Sequence, residues 1–173
     1  YARIILKNTS YMEALIDDLK LTYQLKNGMV PMKKEEQNLV RFLRELVIDI
    51  LNTPEYEQRR ILFTCTRETI LFSFDPSLLT RAFRNLILNA FLHGEADTEA
   101  ALHICQEGTV IQITVSDNGK GIPEKDQENL FRRYYRGTGT DEKTEGTGLG
   151  LAIVKNIVSM HKGTISVSSI PGT

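Results

Sequence analysis

Val110-Ile111-Gln112-Ile113-Thr114-Val115-Ser116-Asp117 runs directly into Asn118-Gly119-Lys120-Gly121. The first part is rich in β-branched residues and reads as a strand, and a carboxylate with two closely spaced glycines stands at its end. Further along, Gly146-Thr147-Gly148-Leu149-Gly150 opens a run, residues 149–160, that reads as a helix. Glycines at a helix start have a chemical use. Without Cβ atoms the backbone can approach an anion, and the unpaired N–H groups of the first turn point at it. A third element lies upstream: Asn85 and Asn89 are four apart and share one helix face. Asn89 offers a hard carbonyl oxygen, suited to Mg²⁺ when phosphates and water supply the remaining ligands. Asp117 can accept a hydrogen bond from an exocyclic amine, which prefers adenine to guanine, where a carbonyl takes that place. The alternatives are a plain hairpin turn at Asp117-Asn118-Gly119 and asparagines that are merely solvated.

Outward from these motifs the chain alternates helical and strand signals. Residues 101–106 and 110–117, joined by Glu107-Gly108-Thr109, form a hairpin. Asp75-Pro76 reads as an N-cap with proline at the first helical position, and the helix that follows buries Leu78, Leu79, Phe83, Leu86, Ile87, Ala90 and Phe91. Residues 60–65 and 68–74 suit an antiparallel strand pair, and residues 35–51 a helix with Leu39, Phe42, Leu43, Leu46, Val47 and Ile50 inward. The first segment carries Ile5, Met12, Leu15, Leu19 and Tyr23 in a near-heptad stripe. It ends at Asn27-Gly28, with Pro31 preventing resumption. Residues 123–146 are polar and glycine-containing, with a short helical turn at 127–131, and residues 163–169 read as a last strand. The expected class is α+β. A two-layer α/β sandwich, with helices on one face of a mixed sheet, follows a long amphipathic helix.

Composition narrows the functions. Lys+Arg 21 against Asp+Glu 22 gives a net charge of −1, no bulk basis for a nucleic-acid partner. No apolar run approaches the roughly 20 residues of a membrane-spanning helix, so no membrane contact is expected from this segment. Cys65 and Cys105 stand apart from any His cluster, which argues against a disulfide framework or zinc and fits a reducing, cytoplasmic setting. The opening Tyr1-Ala2-Arg3-Ile4 reads as mid-helix, the mark of a piece cut from a longer protein.

The order Asn85…Asn89, Asp117-x-Gly119-x-Gly121, Phe131 and Gly146-x-Gly148-x-Gly150 resembles the N box, first glycine box, F box and second glycine box of sensor histidine kinases. These belong to the GHKL superfamily, with gyrase B, Hsp90 and MutL. Phe131-Arg132-Arg133-Tyr134-Tyr135-Arg136-Gly137, followed by the Gly-Thr-Gly-Leu-Gly-Leu run, resembles the kinase branch in particular. The resemblance implies that residues 29–173 are a catalytic ATP-binding domain and residues 1–28 the second helix of a dimerisation hairpin. It also implies that Asp117 holds the adenine amine, Gly119, Gly121 and Ile122 border the ring, and Asn89 binds Mg²⁺ with support from Asn85. The lid, about 124–147, is packed down by Phe131. Gly146, Thr147, Gly148, Leu149 and Gly150 cradle the phosphates, and Arg133, Arg136, Lys143 or His93 supply charge. The implied partners are ATP, a response-regulator receiver domain and a second copy of the chain. The implied whole is anchored in a bacterial membrane.

Departures from the pattern carry expectations of their own. The family's Lys three residues after the second asparagine is Leu92 here, which removes a cation and keeps open a non-catalytic, nucleotide-gated module. Where related ATPases place a Glu this chain has Asn85. An amide cannot take a proton from water, so hydrolysis should be slow and transfer to a protein favoured over an ATPase or serine-kinase role. No acceptor His is expected within the chain: His93 and His103 fall inside the ATP-binding part, and His161 reads as structural. Residues 137–145 lack an apolar anchor, so this part of the lid is expected to be mobile without nucleotide. The chain stops at Pro171-Gly172-Thr173, where the family has one more strand.

Overall fold

A computed structural model describes residues 2–94, 98–137 and 147–170. Helix α1 (Ala2–Lys26) ends where Asn27-Gly28 predicts. Gly28 takes φ +63°, Met29 N–H bonds the Gln24 carbonyl (2.9 Å) and Gly28 N–H that of Leu25 (3.3 Å), the paired bonds of a Schellman cap.

The next element corrects the expected helix start. Glu35–Asn38 is strand β1, and α2 (Leu39–Leu51) begins only after it. Asn38 caps that helix, its side-chain oxygen accepting from Val40 N–H (3.1 Å). The apolar period starts at Leu39, and the polar residues ahead of it carry no helical signal. The expected pairing of residues 60–65 with 68–74 is also overturned. Strand β2 (Arg60–Cys65) lies parallel to β4 (Glu99–Glu107), with Arg60 opposite Glu99, while β3 (Leu71–Phe74) pairs antiparallel with β1. Two apolar runs joined by a polar turn allow a hairpin. Which neighbour each run takes is set by contacts distant in sequence, which local pattern does not report.

Strand β5 (Val110–Asp117) closes the expected hairpin with β4, so the larger sheet, β2-β4-β5, is mixed. Its inward face carries Ile61, Phe63, Ala100, Leu102, Ile104, Ile113 and Val115 into the core with α2 and α3 (Pro76–His93). Leu62, Thr64, His103, Gln112 and Thr114 face outward and are exposed, so the helices cover one side only, as expected.

Asp75 caps α3 through Leu78 N–H (3.0 Å) with Pro76 in the first turn, as predicted. Helix α5 (Gly150–Met160) packs along α3, and His161 ties the end of one to the start of the other. Its Nε2 accepts from Asp75 N–H (3.0 Å), so Nδ1 carries the proton and donates to the Ile157 carbonyl (2.8 Å). His161→Ala strands the partly buried Asp75 N–H and is expected to cost about 1 kcal/mol, the low end for an unsatisfied donor. A urea midpoint equal to the parent's would remove His161 from this role.

The expected strand at residues 163–169 forms no ladder. Ile165, Val167 and Ser169 turn inward between exposed neighbours, but the backbone pairs with no strand among the described residues. Instead Ser169 Oγ accepts from Ile122 N–H (2.9 Å), and its carbonyl from Gln127 Nε2 (2.8 Å), at the end of the short helix α4 (Glu124–Gln127). That helix leads into the turn expected at 127–131, where Leu130 N–H bonds the Gln127 carbonyl (3.5 Å) and Arg132 N–H that of Asn129 (2.8 Å). Finally, α1 packs against α5 with Asp18 and Thr22 buried, while Met12, Ile16, Leu19 and Tyr23 are exposed on the other side.

Candidate functional site

The end of β5, the C-terminal half of α3 and the start of α5 define the site. Asp117 Oδ1 accepts from Gly119 N–H (2.9 Å), which folds the turn back on the carboxylate. A Cβ on Gly119 would lie 2.8 Å from that oxygen and 3.7 Å from Gly94 Cα, so the turn lies against the end of α3. Gly121 takes φ +72°, where a side chain is disfavoured. Asn118, read from sequence only as a turn residue, has a definite task. Its side-chain oxygen accepts from Glu99 N–H (2.8 Å) and pins the turn to the start of β4. Ile122 is held through its backbone by Ser169 and Gln127.

At the middle of α3, Asn85 Nδ2 donates to the Gly150 carbonyl (3.3 Å), which brings the first turn of α5 against α3. Asn89 stands one turn from Asn85 and is half-buried. At 1.5 Å of rise per residue, the contact at Asn85 and the one at Gly94 are about 13 Å apart along α3, a span a nucleoside triphosphate can bridge. Ahead of α5, Thr147 Oγ1 accepts from Leu149 N–H (3.0 Å) and Leu149 is buried as the helix cap. Gly148 takes φ +67°, and its carbonyl accepts from Tyr134 N–H (2.8 Å), clasping the two stems of the lid. At Gly150 a Cβ meets only the Asn85 side chain at 3.6 Å, an ordinary contact, so the chain itself leaves room for alanine.

In the lid, Phe131 is half-buried and Arg133 and Arg136 are exposed. The order of its first stem comes from a pair not anticipated: Tyr135 O–H donates to Asp126 Oδ1 (2.8 Å), and Asp126 is almost fully buried. That bond, aided by burial, raises the Tyr135 phenol above its ordinary value. Leu92 is exposed, as a Lys there would be. The side chain of His93, Lys143, Gly146 and residues 138–145 of the segment 137–145 expected to be mobile lie outside the described residues, as do 171–173.

Among the described residues no group of three His, Cys, Asp or Glu could hold a metal ion. Asn89 fits Mg²⁺ as a single neutral oxygen donor, with the remaining ligands from phosphate and water. His103 bonds Thr64 Oγ1 (2.7 Å) on the open face of the sheet, away from the site. No helix of the described residues is long and apolar enough to cross a membrane. Asp18 and Arg81, neither singled out by the sequence, meet beside Thr147.

Residues 74–173 match the family described as Histidine kinase-, DNA gyrase B-, and HSP90-like ATPase. In sequence the chain is similar to the sensor histidine kinase YvrG of Bacillus subtilis (strain 168), 40% identical over 167 residues, which is 96% of this chain and 29% of that protein. In fold it is similar to full-length ShkA in complex with AMPPNP, with a TM-score of 0.84 over 100% of this chain and 36% of that one, at 18% identity. It is also similar to histidine kinase ThkA in complex with response regulator protein TrrA, with a TM-score of 0.71 over 94% and 44% of the two chains, at 19% identity. Both structural likenesses are of fold alone. The matched span is more than half of the chain and contains both asparagines, both glycine motifs and the clasp between them, and the chain belongs to the histidine kinase-, DNA gyrase B- and HSP90-like ATPase family.

Proposed function

We propose that this chain is the ATP-binding catalytic core of a bacterial sensor histidine kinase. It delivers the γ-phosphoryl group to a histidine outside residues 1–173, from which it passes to an aspartate of a response-regulator receiver domain. Residues 29–173 are the nucleotide domain with its lid at 124–147, and residues 1–28 are one helix of a hairpin that pairs with a second copy. The chain acts in the cytoplasm, and the whole protein is anchored in the cell membrane. One observation carries the proposal. Asp117 with its glycine turn and the glycine-opened start of α5 both lie against the C-terminal half of α3, at Gly94 and Asn85.

In this assignment Asp117 accepts from the adenine amine, Gly119, Gly121 and Ile122 border the ring, and Phe131 packs the lid. The N–H groups from Gly146 to Gly150 receive the phosphates, and Arg133, Arg136 or His93 add positive charge. Asn89 would hold Mg²⁺, which supplies charge neutralisation on the triphosphate when bound. Asn85 donates to Gly150 rather than standing as a base, which supports transfer over hydrolysis. Similarity to YvrG and the fold shared with a ThkA–TrrA complex support the kinase assignment. The exposed Leu92 favours a second possibility, a nucleotide-gated module without transfer chemistry.

Titration with ATP and GTP, with and without Mg²⁺, tests the pocket. Selective, Mg²⁺-assisted ATP binding is expected, and no preference for adenosine nucleotides at millimolar levels would overturn it. Adding the His-bearing upstream helix and following label from [γ-³²P]ATP separates the kinase from the silent module.

A further inference from the structure

Asp18 belongs to α1, yet its carboxylate is buried and divided between two groups at the phosphate end of the site. Oδ1 accepts from the Arg81 guanidinium, and Oδ2 accepts from the Thr147 hydroxyl (3.2 Å). Arg81 stands one turn before Asn85 on the same face of α3, and Thr147 directly precedes Gly148. A guanidinium, a hydroxyl and the N–H groups opening a helix are the partners a phosphoryl oxygen takes. The junction also has unused polar capacity: Arg81 Nε and Thr22 Oγ1, the latter one turn along α1 from Asp18, are buried without a hydrogen-bond partner among the described residues.

We propose that Asp18 is an internal anion occupying the contacts of the nucleotide's terminal phosphate, and that Arg81 is the cation that reads that phosphate. The proposal rests on the nucleotide assignment above. ATP exchanges its γ-phosphate for the carboxylate, so the partly exposed guanidinium trades one anion for another. ADP, one phosphate shorter, leaves Asp18 in place. Arg81 then supplies the positive charge absent at Leu92, and occupancy of the site is relayed to α1.

The test measures Mg²⁺·ATP and Mg²⁺·ADP affinities of the 173-residue chain and its variants by calorimetry, with amide exchange followed along α1. Asp18→Asn, which keeps the side-chain shape and removes the charge, is expected to tighten ATP about fivefold while ADP changes less than about twofold. Arg81→Gln is expected to weaken ATP about fivefold with ADP again nearly unchanged. In the parent, ATP but not ADP speeds exchange across residues 15–22 of α1. Melting curves identify any variant that fails to fold, and Asp18→Ala then replaces Asp18→Asn. An ATP-to-ADP ratio equal to the parent's in both variants, or α1 exchange indifferent to ATP, overturns the proposal while leaving the nucleotide site standing. A parent that binds neither nucleotide overturns both.

Discussion

Gly148→Ala is expected to weaken ATP binding by about tenfold or more and to lower the melting temperature of the nucleotide domain. Two costs coincide at this residue. Its φ of +67° lies in the left-handed region, where an alanine costs about 1–2 kcal/mol. The added Cβ would also stand 3.0 Å from the Cα and carbonyl carbon of Tyr134 and 3.2 Å from the Tyr135 carbonyl oxygen. These are backbone atoms and cannot swing aside. Tyr134 itself takes φ +60° and donates to the Gly148 carbonyl, so relief at one residue strains the other and opens the clasp between the lid stems. The Gly148 N–H, proposed above to receive a phosphate oxygen, is then displaced, as is the Leu149 N–H that Thr147 Oγ1 holds. Gly150→Ala is the control. Its Cβ touches only Asn85 at ordinary distance, so the fold should keep its stability and any lost ATP affinity reports ligand approach alone. Calorimetric titration with a thermal melt separates the two, and parent-like ATP affinity in Gly148→Ala would remove the loop from phosphate binding.

How much of this was legible in the sequence follows from where the signals are local. The faces of α2 and α3, the Asp75-Pro76 start, the Gly28 stop and the β4–β5 hairpin each depend on residues within a few positions, and all appear in the structure. What failed depends on distant partners. Glu35–Asn38 is polar throughout and becomes a strand only because Leu71–Phe74 pairs with it. Residues 163–169 have the in–out alternation of a strand, but side-chain sorting does not require a ladder, and Ser169 instead fastens Ile122 and Gln127. At the site, the glycine motifs stood out because two of them fall together at a strand end and a helix start, and the asparagines gained weight only beside them. Asp18 did not. Beside Asp17, off the apolar stripe, it reads as a solvated charge, and its burial is explained only by Arg81 and Thr147, 63 and 129 residues away.

Asp117→Asn is expected to abolish the preference for adenine with the fold intact. One carboxylate oxygen already accepts from Gly119 N–H (2.9 Å), and an asparagine oxygen can keep that bond, so the turn at the end of β5 survives the change. The other oxygen becomes an NH₂ group. It donates where the carboxylate accepted, and set against the adenine amine it places two donors face to face. The loss combines a missing hydrogen bond to a charged acceptor with an added repulsion, so ATP affinity should fall about tenfold or more. Guanine presents a carbonyl at the same place, and the new NH₂ group can donate to it, so GTP affinity should hold or rise. The change in ATP-to-GTP ratio is therefore larger than either change alone, which is how a pocket built on one acceptor differs from one that selects by shape. Parallel titrations with both nucleotides measure it. A uniform weakening with the ratio preserved would mean that Asp117 only shapes the turn, and that adenine is recognised elsewhere.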